Sequence, residues 1–116
     1  MKSTARRWTI GIALIIAIGV SYHPVHADDA AGMNAFKAKD YNTAATEFEA
    51  VLKEQPNEPA THYMLGLCRR AQNNLSAALG SFQKAVELDT ANETPNPMYT
   101  ITLGQTLNQA KQYNEA

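Results

Sequence analysis

Three glycines divide the chain at nearly regular intervals, and the residues downstream of each are the strongest constraint on the fold. Gly32 is followed by Tyr41, Ala44 and Phe48, at nine, twelve and sixteen residues. Gly66 is followed by Leu75, Ala78 and Phe82 at the same offsets. Gly104 is followed by Tyr113 and Ala116, where the sequence stops. The first two glycines are 34 residues apart and the next two 38, because "ETPNP" (93–97) lies in a lengthened connection. An internal period of 20 to 50 residues marks stacked repeats, none of which buries its apolar face alone.

Each unit reads as two helices. In "THYMLGLCRRAQ" the apolar residues fall on adjoining helical faces, and in "SAALGSFQKAVEL" Ala78, Leu79, Phe82, Ala85, Val86 and Leu88 recur near a 3.6 period. "QNN" (72–74) forms the turn between them, and Asn74 or Ser76 caps the second helix. Unit one repeats this plan with "KAKD" as its turn. Its second helix is expected to bury Ala44, Ala45, Phe48, Val51 and Leu52 and to end before Pro56. Pro59 and Pro97 stand at first helical positions, where a missing N–H costs nothing. The small residues Gly32, Gly66 and Gly104 admit close approach of a partner helix. Ala44 and Ala78 face them, and Phe48 and Phe82 are expected to fill the gap against the next unit.

At these residues the chain resembles the tetratricopeptide repeat family, a 34-residue helix–turn–helix with W-x2-L-G-x2-Y, A-x3-F and a closing Pro. Unit two supplies His62, Leu65, Gly66, Arg69, Ala78 and Phe82. Unit three supplies Thr100, Leu103, Gly104, Leu107, Tyr113 and Ala116, and unit one Gly32, Tyr41, Ala44, Phe48 and Pro56. The opening Trp is absent, Arg69 and Leu107 replace the usual Tyr, and Thr90 replaces the closing Pro. The resemblance implies an all-α fold of antiparallel helix-turn-helix repeats stacked as a short right-handed α-solenoid. It covers residues 28–116, with units at 28–57 and 58–92 and a partial unit at 97–116. The third unit reads as one helix, about 97–111, followed by "YNEA". The reading is a longer array cut short, or a last helix that shields unit two. An open end of that kind is expected to self-associate, to lower stability, or to be covered by a partner.

The first 27 residues have a different character. Lys2, Arg6 and Arg7 precede the apolar run 8–20, and Pro24 and an A-x-A-like end at Val25 and Ala27 come after it. These are the parts of a secretory signal peptide cleaved after Ala27. A 13-residue helix spans roughly 20 Å, short of a ~30 Å hydrocarbon core, although an uncleaved anchor through 8–20 is the alternative. The expected location is therefore outside the cytoplasm, in a periplasm, or anchored in an inner membrane and facing it. The whole chain has ten Lys and Arg against eleven Asp and Glu. Three of the bases lie in the segment, so the remainder has seven against eleven, a net charge of −4. Such a balance does not suit non-specific nucleic-acid binding.

Catalytic chemistry finds no constellation. His62 is the one histidine after Ala27, too few for a zinc site, so neither a metal nor another cofactor is indicated. Ser76 and Ser81 have no histidine base within their unit. Cys68 is the sole cysteine and takes a packing position, despite Arg69 and Arg70 beside it. Glu47, Glu49, Glu54 and Glu58 scatter along a helix and turn as a solvated set. The resemblance instead implies a non-enzymatic scaffold whose first helices line a groove for a protein or peptide. Carried over, the groove consists of Met33, Phe36 and Lys37, then Tyr63, Leu67 and Arg70, then Ile101, Gln105 and Asn108. Its apolar strip would anchor side chains while Lys37 and Arg70 read an acid. The aliphatics serve equally well as core between units. The family's clamp for C-terminal carboxylates is not implied, since Asp29 and Met33 stand at two of its positions.

Overall fold

The structure, a computed structural model, describes residues 29–115. The expected leader and its cleavage site lie outside the described residues, as does Ala116. Among the described residues there are five helices and no strand: α1 (Asp29–Lys37), α2 (Tyr41–Glu54), α3 (Pro59–Ala71), α4 (Leu75–Asp89) and α5 (Pro97–Glu115). Each helix packs on the next in sequence, which gives the all-α helical repeat implied by the spacing of the glycines.

The turns inside units one and two are copies of one another. Lys39 and Asn73, 34 residues apart, both adopt left-handed backbone, with φ of 60° and 62°. Asp40 N–H donates to Ala35 O at 2.9 Å and Lys39 N–H to Phe36 O at 3.0 Å. In unit two Asn74 N–H donates to Arg69 O and Asn73 N–H to Arg70 O, both at 2.9 Å. This is the Schellman closure of a helix end, which satisfies carbonyls that have no partner within the helix. The same residue then opens the next helix. Asp40 accepts from Thr43 N–H and Asn74 from Ala77 N–H, each at 3.2 Å. Of the two candidate caps for α4, Asn74 is the one used. Hydrogen bonding to Thr43 also holds the Asp40 carboxyl below its ordinary pKa.

The third junction departs from that plan. The sequence suggests an end near Lys111, but α5 continues through Tyr113 to Glu115. Seven and eight residues past Gly104, where Lys39–Asp40 and Asn73–Asn74 turn the chain, stand Lys111 and Gln112. Gln lacks the short oxygen-bearing side chain of a good cap. Without that cap the helix runs on, and its backbone hydrogen bonds are kept.

Packing within a unit centres on its glycine. A Cβ at Gly32 would lie 2.6 Å from Phe48 Cε1, and one at Gly66 only 2.5 Å from Phe82 Cε1. Both rings are wholly buried, as are Ala44 and Ala78. Each phenylalanine therefore seats on the glycine of its own unit, and Phe48 also packs in the cluster with Leu65 and Cys68 of unit two, the gap it was expected to fill. The ring takes the volume that a side chain on the first helix would need. At Gly104 nothing lies within 4 Å of such a Cβ, so there the expected close approach of a partner helix is not made.

The seam between units one and two gathers Ala35, Ala44, Ala45, Phe48, Leu65 and Cys68, with Met33, Phe36, Leu52 and Met64 packed against them. Leu52 is half-buried rather than buried. On the same side Arg69 pairs with Glu49, and Gln72 Nε2 donates to Asn42 Oδ1 at 2.6 Å. Arg69, where the resemblance implies a tyrosine, thus reaches back to α2. Beyond α4, the buried Asp89 accepts from Asn92 Nδ2 at 2.9 Å and from Asn96 N–H, which fastens the lengthened connection ahead of Pro97.

This packing gives two glycine substitutions opposite signs. Gly66→Ala lowers unfolding stability by about 1–3 kcal/mol through its clash with Phe82. Gly104→Ala raises it by about 0.5–1 kcal/mol through helix propensity alone. Urea denaturation of the pair reads the difference. By the same measurement, Asn74→Ala costs about 1 kcal/mol as a lost cap. Burial raises the Cys68 thiol pKa from 9.0 to about 11. The unfolded chain releases that proton first as pH climbs past 9, so this contribution to stability falls between pH 9 and 11. A Cys68→Ala variant measured over the same range lacks that component of the fall.

Candidate functional site

The first helices of the units lie side by side and are joined by polar and aromatic contacts. Between α1 and α3, Thr61 Oγ1 donates to Asp29 Oδ1 at 3.1 Å. Between α3 and α5, Tyr63 Oη and Thr102 Oγ1 share a hydrogen bond of 3.2 Å, and Arg70 Nη1 donates to Thr106 Oγ1 at 3.4 Å. The Tyr63 ring lies 4.9 Å from that of Tyr99 and 5.6 Å from that of Phe82. The Arg70 guanidinium sits 5.8 Å over the Phe82 ring, within cation–π range. Burial holds the Tyr99 phenol above its ordinary pKa.

These contacts divide the residues assigned to the groove. Met33 and Phe36 are half-buried in the first seam, with Phe36 edge-on to Tyr41 at 5.5 Å and 72°. Tyr63 and Arg70 are half-buried and engaged with α5, and Leu67 is half-buried on α3. Lys37, Ile101, Gln105 and Asn108 are exposed or nearly so, Ile101 to 52%. The structure therefore brings Tyr63 and Arg70 together with Thr102 and Thr106. Lys37, at the end of α1, and the polar residues of α5 project into solvent.

Three threonines belong to this arrangement and carry no mark in the sequence pattern. Thr61, Thr102 and Thr106 are all buried, and Thr106 Oγ1 also donates to Thr102 O at 2.8 Å. Tyr99, Thr102 and Thr106 fit the i, i+3, i+7 pattern of a buried helix stripe. That signal is hidden as long as threonine is counted as polar.

The groups with chemical potential are occupied elsewhere. His62 Nε2 lies 2.8 Å from Pro56 O and ties α3 to the preceding turn. Cys68 has no solvent exposure. Among the described residues no three His, Cys, Asp or Glu side chains cluster as a metal site would need. A shallow cleft of about 290 Å³ between the start of α4 and the end of α5 is lined by Leu75, Ser76, Leu79, Ala110, Tyr113 and Asn114, with no acid, thiol or imidazole in it.

No curated protein sequence matches the chain. A family profile described as tetratricopeptide repeat matches residues 30–93, from within α1 past the end of α4. That span is more than half of the chain, and it contains both complete sets of Gly, Ala and Phe. The chain belongs to the tetratricopeptide repeat family.

Proposed function

We propose that this protein is a non-enzymatic scaffold that acts outside the cytoplasm and holds a protein or peptide segment along its first helices. Family membership carries the reading, because tetratricopeptide repeats are protein-interaction scaffolds. The surface of α1, α3 and α5 supports it: an apolar ledge from Met33, Phe36, Leu67 and Ile101, with the Lys37 cation and the amides of Gln105 and Asn108 at its margin. Tyr63 and Arg70 hold the first helices at a fixed spacing and present only part of their surface. The basic, apolar and A-x-A-like character of residues 1–27 supports export through a cleaved leader.

Because Tyr63 also supports the fold, the informative variants are the exposed positions. Lys37→Glu combined with Ile101→Ser leaves thermal stability nearly unchanged and weakens partner capture from an envelope extract by about tenfold or more. Equal capture by wild type and variant refutes the groove. Mass spectrometry of the exported protein tests the location: an N-terminus at Asp28 supports release, and a retained segment 8–20 replaces it with a membrane tether.

A further inference from the structure

Among the described residues the half-buried basic side chains are Arg69, Arg70 and Lys84. Arg69 pairs with Glu49, and Lys84 Nζ lies 3.4 Å from Glu87 Oε1. Arg70 has no carboxylate within ion-pair range among the described residues. A guanidinium in a protein is always charged, and a charge drawn from water without a partner costs free energy. The helices around Arg70 cannot supply the partner. No Asp or Glu occurs from Pro59 to Val86, nor from Pro97 to Asn114. The sequence after Ala27 nevertheless has seven bases against eleven acids, so its acids are kept away from this place. Asp29 of α1 is engaged with Thr61. The guanidinium is positioned all the same: Nη1 donates to Thr106 Oγ1 at 3.4 Å, and the group sits 5.8 Å over the Phe82 ring. These contacts restrict its orientation and leave its other N–H donors for a ligand. A carboxylate matches that fork with two parallel N–H···O bonds.

We infer that Arg70 receives the side-chain carboxylate of an Asp or Glu in an extended peptide segment lying across the first helices, and so decides which segments the groove accepts. The inference rests on the groove reading above and adds the chemistry of the occupant. Arg70 belongs to α3, the middle one of the first helices, with Met33 and Phe36 of α1 on one side and Ile101 of α5 on the other. A segment that spans the ledge runs past Arg70 in both directions, and meets it with a side chain rather than with a chain terminus. The apolar ledge anchors the neighbours of the acid, and a basic residue at the same place is repelled. Lys37 is exposed and adds attraction at a distance rather than a fixed contact. Arg70 is half-desolvated and already oriented, so less side-chain freedom is lost when the carboxylate arrives.

The test selects a random dodecapeptide phage library on the full-length protein and remakes the recovered sequences as fluorescein-labelled peptides with amidated C-termini, read by anisotropy. The recovered peptides carry an Asp or Glu between apolar residues, and replacing that acid by its amide weakens binding about tenfold. Arg70→Gln in the protein weakens the acidic peptide to the same extent and leaves binding of its amide form unchanged, whereas Arg70→Lys keeps part of the preference for the acid. Substitution in the peptide reads the contact on unaltered protein, so the result does not hang on the fold of Arg70→Gln. An acid preference that survives Arg70→Gln with helical circular dichroism intact overturns the inference, as does binding that requires a free C-terminal carboxylate. Recovered peptides that bind equally well as acid and amide, and that Lys37→Glu with Ile101→Ser displaces, overturn it while the groove stands. Absence of any binder overturns both.

Discussion

A benzene ring resting on an exposed stretch of helix backbone is the contact that sets the remaining geometry. With Phe82 seated on Gly66 and Phe48 on Gly32, the two helices of a unit approach more closely than two side-chain-bearing surfaces allow. That approach fixes which residues turn toward the neighbouring unit. Ala35, Ala45, Leu65 and Cys68 meet in the first seam because the rings behind them set the helix positions. The glycine matters here for what it omits rather than for backbone freedom, since none of the described glycines has positive φ.

Backbone freedom is required elsewhere, and residues other than glycine supply it. Lys39 and Asn73 hold the left-handed conformation that reverses the chain, a conformation that disfavours side chains by about 1–2 kcal/mol per residue. The two hydrogen bonds that close each helix, and the cap that opens the next one residue later, offset that strain. The junction is compact because one residue, Asp40 or Asn74, serves both ends.

Much of this is legible from spacing. The period, the pairing of helices, the prolines at helix starts and the caps are local matters, and local chemistry writes them into the sequence. The seat of Phe48 and Phe82 on the glycine of their own unit is not legible, since a period states that a ring recurs and not every neighbour it touches. The run of α5 past Lys111 is marked only by Gln112, which stands where Asp40 and Asn74 cap, and the recurring Tyr113 and Ala116 mask that difference. The candidate groove is legible as a set of positions but not as a surface. Whether Tyr63 faces solvent or Thr102 depends on how far α5 stands from α3, and that distance is set by threonines whose methyl and hydroxyl groups serve packing and polarity together.

The two seams are built from different materials. The first combines a continuous apolar cluster with the Glu49–Arg69 ion pair and the Gln72–Asn42 bond. The second places Gln83, Leu107, Ser76 and Ala110 at the equivalent positions and relies on hydroxyls and tyrosine rings. In a linear array where each unit leans only on its neighbours, such inequality gives unravelling a direction. Across the described residues the seam on α5 is the looser fastening of the two, the place where a zipper under load or heat is expected to part first.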